Sequence, residues 1–236
     1  MSHLIRPASL IGALLAALSF DGRAQGGATR KPEPTGSGQT IVCLGDSITL
    51  AGYPAILEKL LGAPAINAGV GGDTTRKALK RLDADVLRHR PAAVVILFGA
   101  NDSRQDAPGS QVSLPEYEAN LARLVDACRG GGAKVLLGTM PPIDPAPYYR
   151  RHVREKYEPL GGIETVVESY RQAALKAAKE KEIRAIDLNG LLAARPEWMK
   201  PDGVHPSPRG NEIIAELVAR ELSQMLGIAG RATAAH

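Results

Sequence analysis

The stretch Thr40-Ile41-Val42-Cys43-Leu44-Gly45-Asp46-Ser47-Ile48-Thr49 sets the reading of this chain. Its first half is an unbroken apolar run, the pattern of a strand buried on both faces. Its second half turns polar through Gly-Asp-Ser, residues suited to a tight turn that opens a helix. Similar runs follow at residues 92–98, 133–137 and 183–186, with a weaker one at 64–67. Between them lie four stripes: Leu79, Leu82 and Val86; Tyr117, Leu121, Leu124, Val125 and Cys128; Ile163, Val166, Val167, Tyr170 and Ala174; Ile214, Leu217, Val218, Leu222 and Met225. Each keeps the i, i+3, i+4, i+7 spacing of a helix with one buried face. Strands alternating with helices predict a central, mostly parallel five-stranded sheet in a three-layer α/β/α sandwich. Ser113-Leu114-Pro115-Glu116 reads as a capping box ahead of the second stripe, and Ser207-Pro208 as the start of the last.

Composition narrows the function classes. With 236 residues, 44% of them hydrophobic, the chain can hide roughly 70% of its unfolded surface. That excludes a disulfide-stapled mini-protein, a collagen and a wholly disordered chain. Aromatics make up 4%, too few for a nucleic-acid sheet built on rows of stacking rings. The net charge of +4 comes from interleaved acids and bases, a soluble surface and no nucleic-acid patch.

The chain opens on Arg6, an apolar stretch over residues 8–20 and the small residues of Gly22-Arg23-Ala24. This is the three-part pattern of a secretory signal cut after Ala24, with a frayed helix as the alternative. The apolar stretch is too short for a stable membrane anchor. Expected are a signal peptide at 1–24, a flexible Gly/Pro/Ser/Thr linker at 25–39, one domain at 40–227 and a tail at 228–236. Export makes the protein secreted or periplasmic and invites a Cys43–Cys128 disulfide. Both cysteines, however, fall on apolar stripes, which favours two small buried thiols.

In open parallel sheets ligands bind beyond the carboxyl ends of the strands. There stand Gly45-Asp46-Ser47-Ile48-Thr49, Asn67-Ala68-Gly69-Val70-Gly71-Gly72-Asp73 and Gly99-Ala100-Asn101-Asp102, with Asp202-Gly203-Val204-His205-Pro206 before the last helix. The glycine run is no dinucleotide fingerprint, because Thr74 stands at its last position. A serine hydroxyl becomes a nucleophile when a neighbouring imidazole takes its proton. That imidazole needs a carboxylate to orient it, and Asp202 and His205, three apart, fit one short turn. An oxyanion needs donors, which the Ser47 N–H, a glycine N–H and the Asn101 amide supply. Asp46 is expected to accept backbone N–H groups, and Asp73 to cap or open a helix.

These four blocks, in this order, resemble the signatures of the SGNH (GDSL-type) esterase and lipase superfamily, over about residues 40–225. The resemblance implies a flavodoxin-like fold, in keeping with the absence of G-x-S-x-G around Ser47. It implies Ser47 as nucleophile, His205 as base and Asp202 as its orienter. Ser47, Gly72 and Asn101 would form the oxyanion hole. No metal or cofactor is implied; outside the signal and tail only three histidines remain. The expected partner is a small-molecule or carbohydrate ester, with no nucleic acid, no stable membrane anchor and the oligomeric state open. A carbohydrate acetylesterase is the expected activity. Lysophospholipase, thioesterase, arylesterase and sugar O-acetyltransferase activities share the resemblance, and a non-catalytic sugar-binding module is the rival from another class. Residues 139–162, with Pro141, Pro142, Pro145 and Pro147, then Tyr148, Tyr149 and a basic run, read either as a substrate-facing wall or as a stiffened surface loop and solvated helix. Trp198 either stacks on a sugar ring or packs against the last helix.

Overall fold

The computed structural model describes residues 39–228. The expected signal peptide, linker and tail lie outside these residues, apart from Gln39 and Ile228. Five strands form one sheet: β1 (Ile41–Gly45), β2 (Ala65–Gly69), β3 (Ala93–Leu97), β4 (Lys134–Gly138) and β5 (Arg184–Ile186). They run in the order β2-β1-β3-β4-β5, every pair parallel. The expected fold class is therefore the observed one, the flavodoxin-like order included. Buried on both faces, β1 and β3 have no exposed residue, while the edge strands β2 and β5 are half-exposed. Edge exposure is the reason for the weak apolar run at 64–67.

The helices are α1 (Ser47–Leu50), α2 (Tyr53–Leu61), α3 (Thr75–Asp85), α4 (Leu114–Gly130), α5 (Pro145–Tyr148), α6 (Gly162–Glu180), α7 (Leu188–Leu192) and α8 (Pro208–Leu226). The β1→β2 crossover runs one way across the sheet and all later ones the other. Right-handed crossovers therefore put α2 on one face and α3, α4 and α6 on the opposite face. Packing agrees: α2 lies against α8, and α3, α4 and α6 lie side by side. The stripes on α4 and α6 are buried throughout; Leu79 and Met225 pack at the core's margin. Among the described residues no helix is long and apolar enough to cross a membrane.

Several local expectations yield to tertiary contacts. α2 has no counterpart among the four stripes, although Tyr53, Leu57 and Leu61 repeat every four residues and are buried. The capping box at Ser113 does not form: its side chain makes no capping bond, and Glu116 instead takes a bidentate pair from Arg76 at 2.6 Å. Thr74, and not Asp73, caps α3. Ser207 does cap α8, its Oγ accepting from Gly210 N at 2.9 Å. Cys43 and Cys128 are free and buried, and burial pushes both thiols up to about 12.

Gly210, in the first turn of α8, has no room for a side chain. A Cβ there would lie 1.8 Å from the Trp198 carbonyl oxygen. Gly210→Ala must lift α8 off the loop that precedes it, costing about 1–3 kcal/mol by overpacking. Urea unfolding of the variant against the parent measures this loss.

Candidate active site

β1 ends at Gly45, where the chain doubles back so tightly that a Cβ would lie 2.1 Å from Thr49 Oγ1 and 2.7 Å from Leu97 O. Glycine is the residue type that tolerates this return. Asp46 follows, buried, its Oδ1 capping α1 by accepting from Ile48 N at 2.9 Å. Ser47 is thereby held at the carboxyl end of β1. Asn101 stands beyond β3. Because the strand order reverses between β1 and β3, a crevice opens at this point.

The loop between Trp198 and α8 supplies the next side chain. It is closed by Lys200 N→His205 O (2.8 Å), Gly203 N→Lys200 O (3.0 Å) and Ser207 N→Trp198 O (2.8 Å). Within it Asp202 Oδ1 accepts from the backbone N–H of both Val204 and His205 at 2.9 Å, and Oδ2 lies 2.7 Å from His205 Nδ1. Burial works to raise the Asp202 pKa. The two backbone N–H groups and the imidazole outweigh it and hold the carboxyl below its usual range. At the far side of the ring His205 Nε2 lies 3.0 Å from Ser47 Oγ. The proton between His205 and Asp202 leaves Nε2 as the acceptor for the serine proton.

Ser47, Gly72, Asn101 and His205 all line one pocket of about 400 Å³. Neither the Ser47 N–H nor the Gly72 N–H is taken by another described group. The Asn101 amide is already engaged, donating to Asp73 O at 2.9 Å and, more weakly, to Asp46 Oδ2 at 3.4 Å. Three of the pocket's other residues come from loops: Arg104, Arg151 and His152. Arg151 and His152 fall in residues 139–162, for which a substrate-facing wall was one of the two expected readings, while Arg104 was not singled out in the sequence. The Asp106–His152 contact that seats one wall joins two loops 46 positions apart.

The expected ring contacts divide three ways. Tyr148 edges the pocket, although its ring is almost wholly buried. Tyr149 does not line it; its hydroxyl accepts from Ile163 N at 2.7 Å and Arg154 sits 4.3 Å over its ring. Trp198 is corrected outright: 1% exposed and packed under α8, it has no face left for a sugar. Among the described residues no group of His, Cys, Asp and Glu has the makings of a metal site.

Beneath the pocket lie three buried acids. Asp73 pairs with Arg81 at 2.7 Å, and the same guanidinium donates to Ala68 O, Gly45 O and Asp85. Asp102 accepts from Thr75 N and Oγ1 through Oδ1, while its Oδ2 has no partner. Burial pushes Asp102 up to about 6 and Asp46 up to about 7, the neighbouring acids adding to both.

Residues 43–213 match the GDSL-like lipase/acylhydrolase family. The chain belongs to that family. An arylesterase of Vibrio mimicus is 29% identical over 201 residues, covering 80% of this chain and 90% of that protein. Among solved structures, a lipase/acylhydrolase from Enterococcus faecalis is 29% identical with a TM-score of 0.67, covering 82% of this chain and 98% of that one. An acetylxylan esterase from Geobacillus stearothermophilus is 28% identical with a TM-score of 0.65, covering 79% and 95%. Catalytic mutants of that esterase replace a serine, an aspartate and a histidine. This GDSL-like hydrolase is accordingly a carboxylic ester hydrolase of the SGNH fold.

The raised Asp46 pKa has a sign that can be tested. The folded state keeps this proton where the unfolded chain has lost it, so from pH 4 to 7 Asp46 lowers stability as pH rises. Asp46→Asn removes the charge and keeps the oxygen that caps α1. Its stability relative to the parent therefore rises over that window, by on the order of 1–3 kcal/mol. Urea midpoints of both proteins at pH 4, 5.5, 7 and 8 measure it; parallel curves would refute the assignment.

Proposed function

We propose that this hydrolase is an exported serine acetylesterase acting on O-acetylated carbohydrate, with Ser47 as nucleophile. The observation that carries this is the chain of contacts from Ser47 Oγ to His205 Nε2 (3.0 Å) and from His205 Nδ1 to Asp202 (2.7 Å). Ser47 Oγ attacks the acetyl carbonyl while His205 accepts its proton; Asp202, a carboxylate through the neutral range, stabilises the imidazolium. The tetrahedral oxyanion is met by the N–H groups of Ser47 and Gly72 and by Asn101 Nδ2, whose 3.4 Å contact to Asp46 is the weaker of its two and the one that yields. His205 returns the proton to the departing sugar hydroxyl, and water repeats the cycle on the acetyl-enzyme. Serine, aspartate and histidine are also the residue types replaced in the catalytic mutants of the acetylxylan esterase.

The pocket favours a short acyl group. Its wall carries Arg104, Arg151 and His152, where a lysophospholipase or thioesterase needs apolar side chains along a chain-length groove. Export follows from the three-part pattern of residues 1–24. N-terminal sequencing of protein recovered outside the cytoplasm is expected to begin at Gln25, and an intact Met1 there would refute it.

The decisive experiment is hydrolysis of p-nitrophenyl esters and acetylated xylo-oligosaccharides by the parent, Ser47→Ala and Asp202→Asn. Ser47→Ala is expected to abolish turnover with the fold intact by circular dichroism. Asp202→Asn is expected to lower kcat by up to roughly 10,000-fold through the wrong imidazole tautomer. Acetyl esters should be cleaved fastest, with kcat/KM falling as the acyl chain lengthens. Turnover surviving in Ser47→Ala refutes the nucleophile, and faster cleavage of long chains refutes the acetyl preference. Acetyl transfer to added sugar outpacing hydrolysis would make the protein an O-acetyltransferase.

A further inference from the structure

The pocket holds a second imidazole–carboxylate pair that the proposed reaction does not use. His152 Nδ1 lies 2.8 Å from Asp106 Oδ2, and its ring stacks on Tyr148 with centroids 3.9 Å apart and planes 13° from parallel. Asp106 is fully engaged: Oδ1 accepts from Tyr157 OH (3.2 Å) and Arg104 Nε (3.3 Å), and Oδ2 also from Val153 N (3.4 Å). Burial works to raise its pKa, and His152 and Arg104 hold it down as a carboxylate. Tyr157 is fixed in turn by Tyr148 OH at 2.7 Å and by Gln105 N at 3.3 Å. His152 is thus gripped on its face and at Nδ1, while its Nε2 has no partner among the described residues.

The two arginines are spent in the same partial way. Arg104 uses Nε on Asp106, and Arg151 uses Nη2 on the Asp202 carbonyl oxygen at 2.8 Å. The remaining guanidinium N–H groups of both have no described acceptor. Asp202, like Asp106, has both carboxyl oxygens occupied. The two guanidinium groups therefore offer a substrate only donors, while His152, its Nδ1–H committed to Asp106, presents Nε2 as an acceptor. Between the two guanidinium groups a sugar hydroxyl would leave its own proton unmatched. A carboxylate only accepts, and its two oxygens fit the guanidinium fork.

We propose that Arg104 and Arg151 form a carboxylate-recognising subsite beside Ser47, so that the preferred esters carry an anionic carboxyl group near the scissile bond. This rests on Ser47 being the reacting hydroxyl. The carboxylate belongs either to the alcohol, as in an acetylated uronic or hydroxy acid, or to the acyl group, as in a dicarboxylic half-ester.

Two ester pairs distinguish these sources. The alcohol-side pair is 4-acetoxybenzoate and its methyl ester; the acyl-side pair is mono-4-nitrophenyl succinate and its methyl ester. In each pair kcat/KM for the anionic over the neutral ester is divided by the same ratio for hydroxide hydrolysis, which removes intrinsic reactivity. The parent is expected to favour the anionic member of one pair by roughly ten- to a hundredfold, as a charge-assisted hydrogen bond allows. Arg104→Gln and Arg151→Gln should each lower that ratio about five- to tenfold, and Arg104→Lys should restore part of it. Because a ratio is read, a general loss of activity cancels. Equal use of both members in both pairs overturns the subsite and leaves Ser47 untouched, as does a ratio that neither variant moves. Failure to cleave any of the four esters overturns the subsite and the Ser47 reading together.

Discussion

A hydrogen bond of 3.0 Å joins Ser47 to His205 across 158 positions of sequence. Nothing local brings these residues together; the sheet does. Its order places β1 between β2 and β3, so the crossovers that leave β1 and β3 lie on opposite faces and their loops part at the carboxyl end. Ser47 and Asn101 flank that parting. The His205 loop closes over it, pinned by Trp198 beneath Gly210. Gly45, where the chain returns onto its own strand, and Gly210, where helix meets loop, set how closely the two ends of the bond approach.

The surroundings of that bond are electrostatically lopsided. Below it lie Asp46, Asp73 and Asp102, of which Asp73 is matched by Arg81 while burial pushes Asp102 up to about 6 and Asp46 up to about 7. Arg81 also gathers the backbone carbonyls at the ends of β1 and β2, so one guanidinium neutralises an acid and ties two strands. Above it the wall presents the N–H groups of Arg104 and Arg151 and the Nε2 of His152. Ser47 sits between a floor of acids and a polar wall, an arrangement that orients a polar ligand more readily than a hydrocarbon chain.

The sheet was legible because strands buried on both faces must be apolar throughout. β1, β3, β4 and the short edge β5 announce themselves, while the half-exposed edge β2 gives a fainter pattern. The residues at strand ends were legible for a related reason: Ser47, Gly72 and Asn101 stand where an open parallel sheet places its ligands, and all reach the same pocket. What escaped depends on contacts between distant loops. Glu116 looks like a capping residue until Arg76, 40 positions away, takes it. Trp198 looks available to a sugar until α8 covers it. His152 sits in a segment whose sequence reads equally as a substrate-facing wall or as a loop and solvated helix, and only the fold brings Asp106 to its Nδ1. α2 is a different case, since Tyr53, Leu57 and Leu61 carried the pattern in plain sequence.

The pocket wall and the His205 loop are fastened to each other at two points. Arg151 holds the Asp202 carbonyl, and Asp144 N donates to Gly203 O at 2.9 Å. Gly203, at φ +79, lies so close to Pro147 and the Asp144 carbonyl that no side chain fits between them. Residues 144–152 and 202–205 therefore behave as a single stiff bracket. Loosening of the wall therefore slackens the hold on the imidazole that the proposed mechanism needs, and an insertion in either segment displaces both.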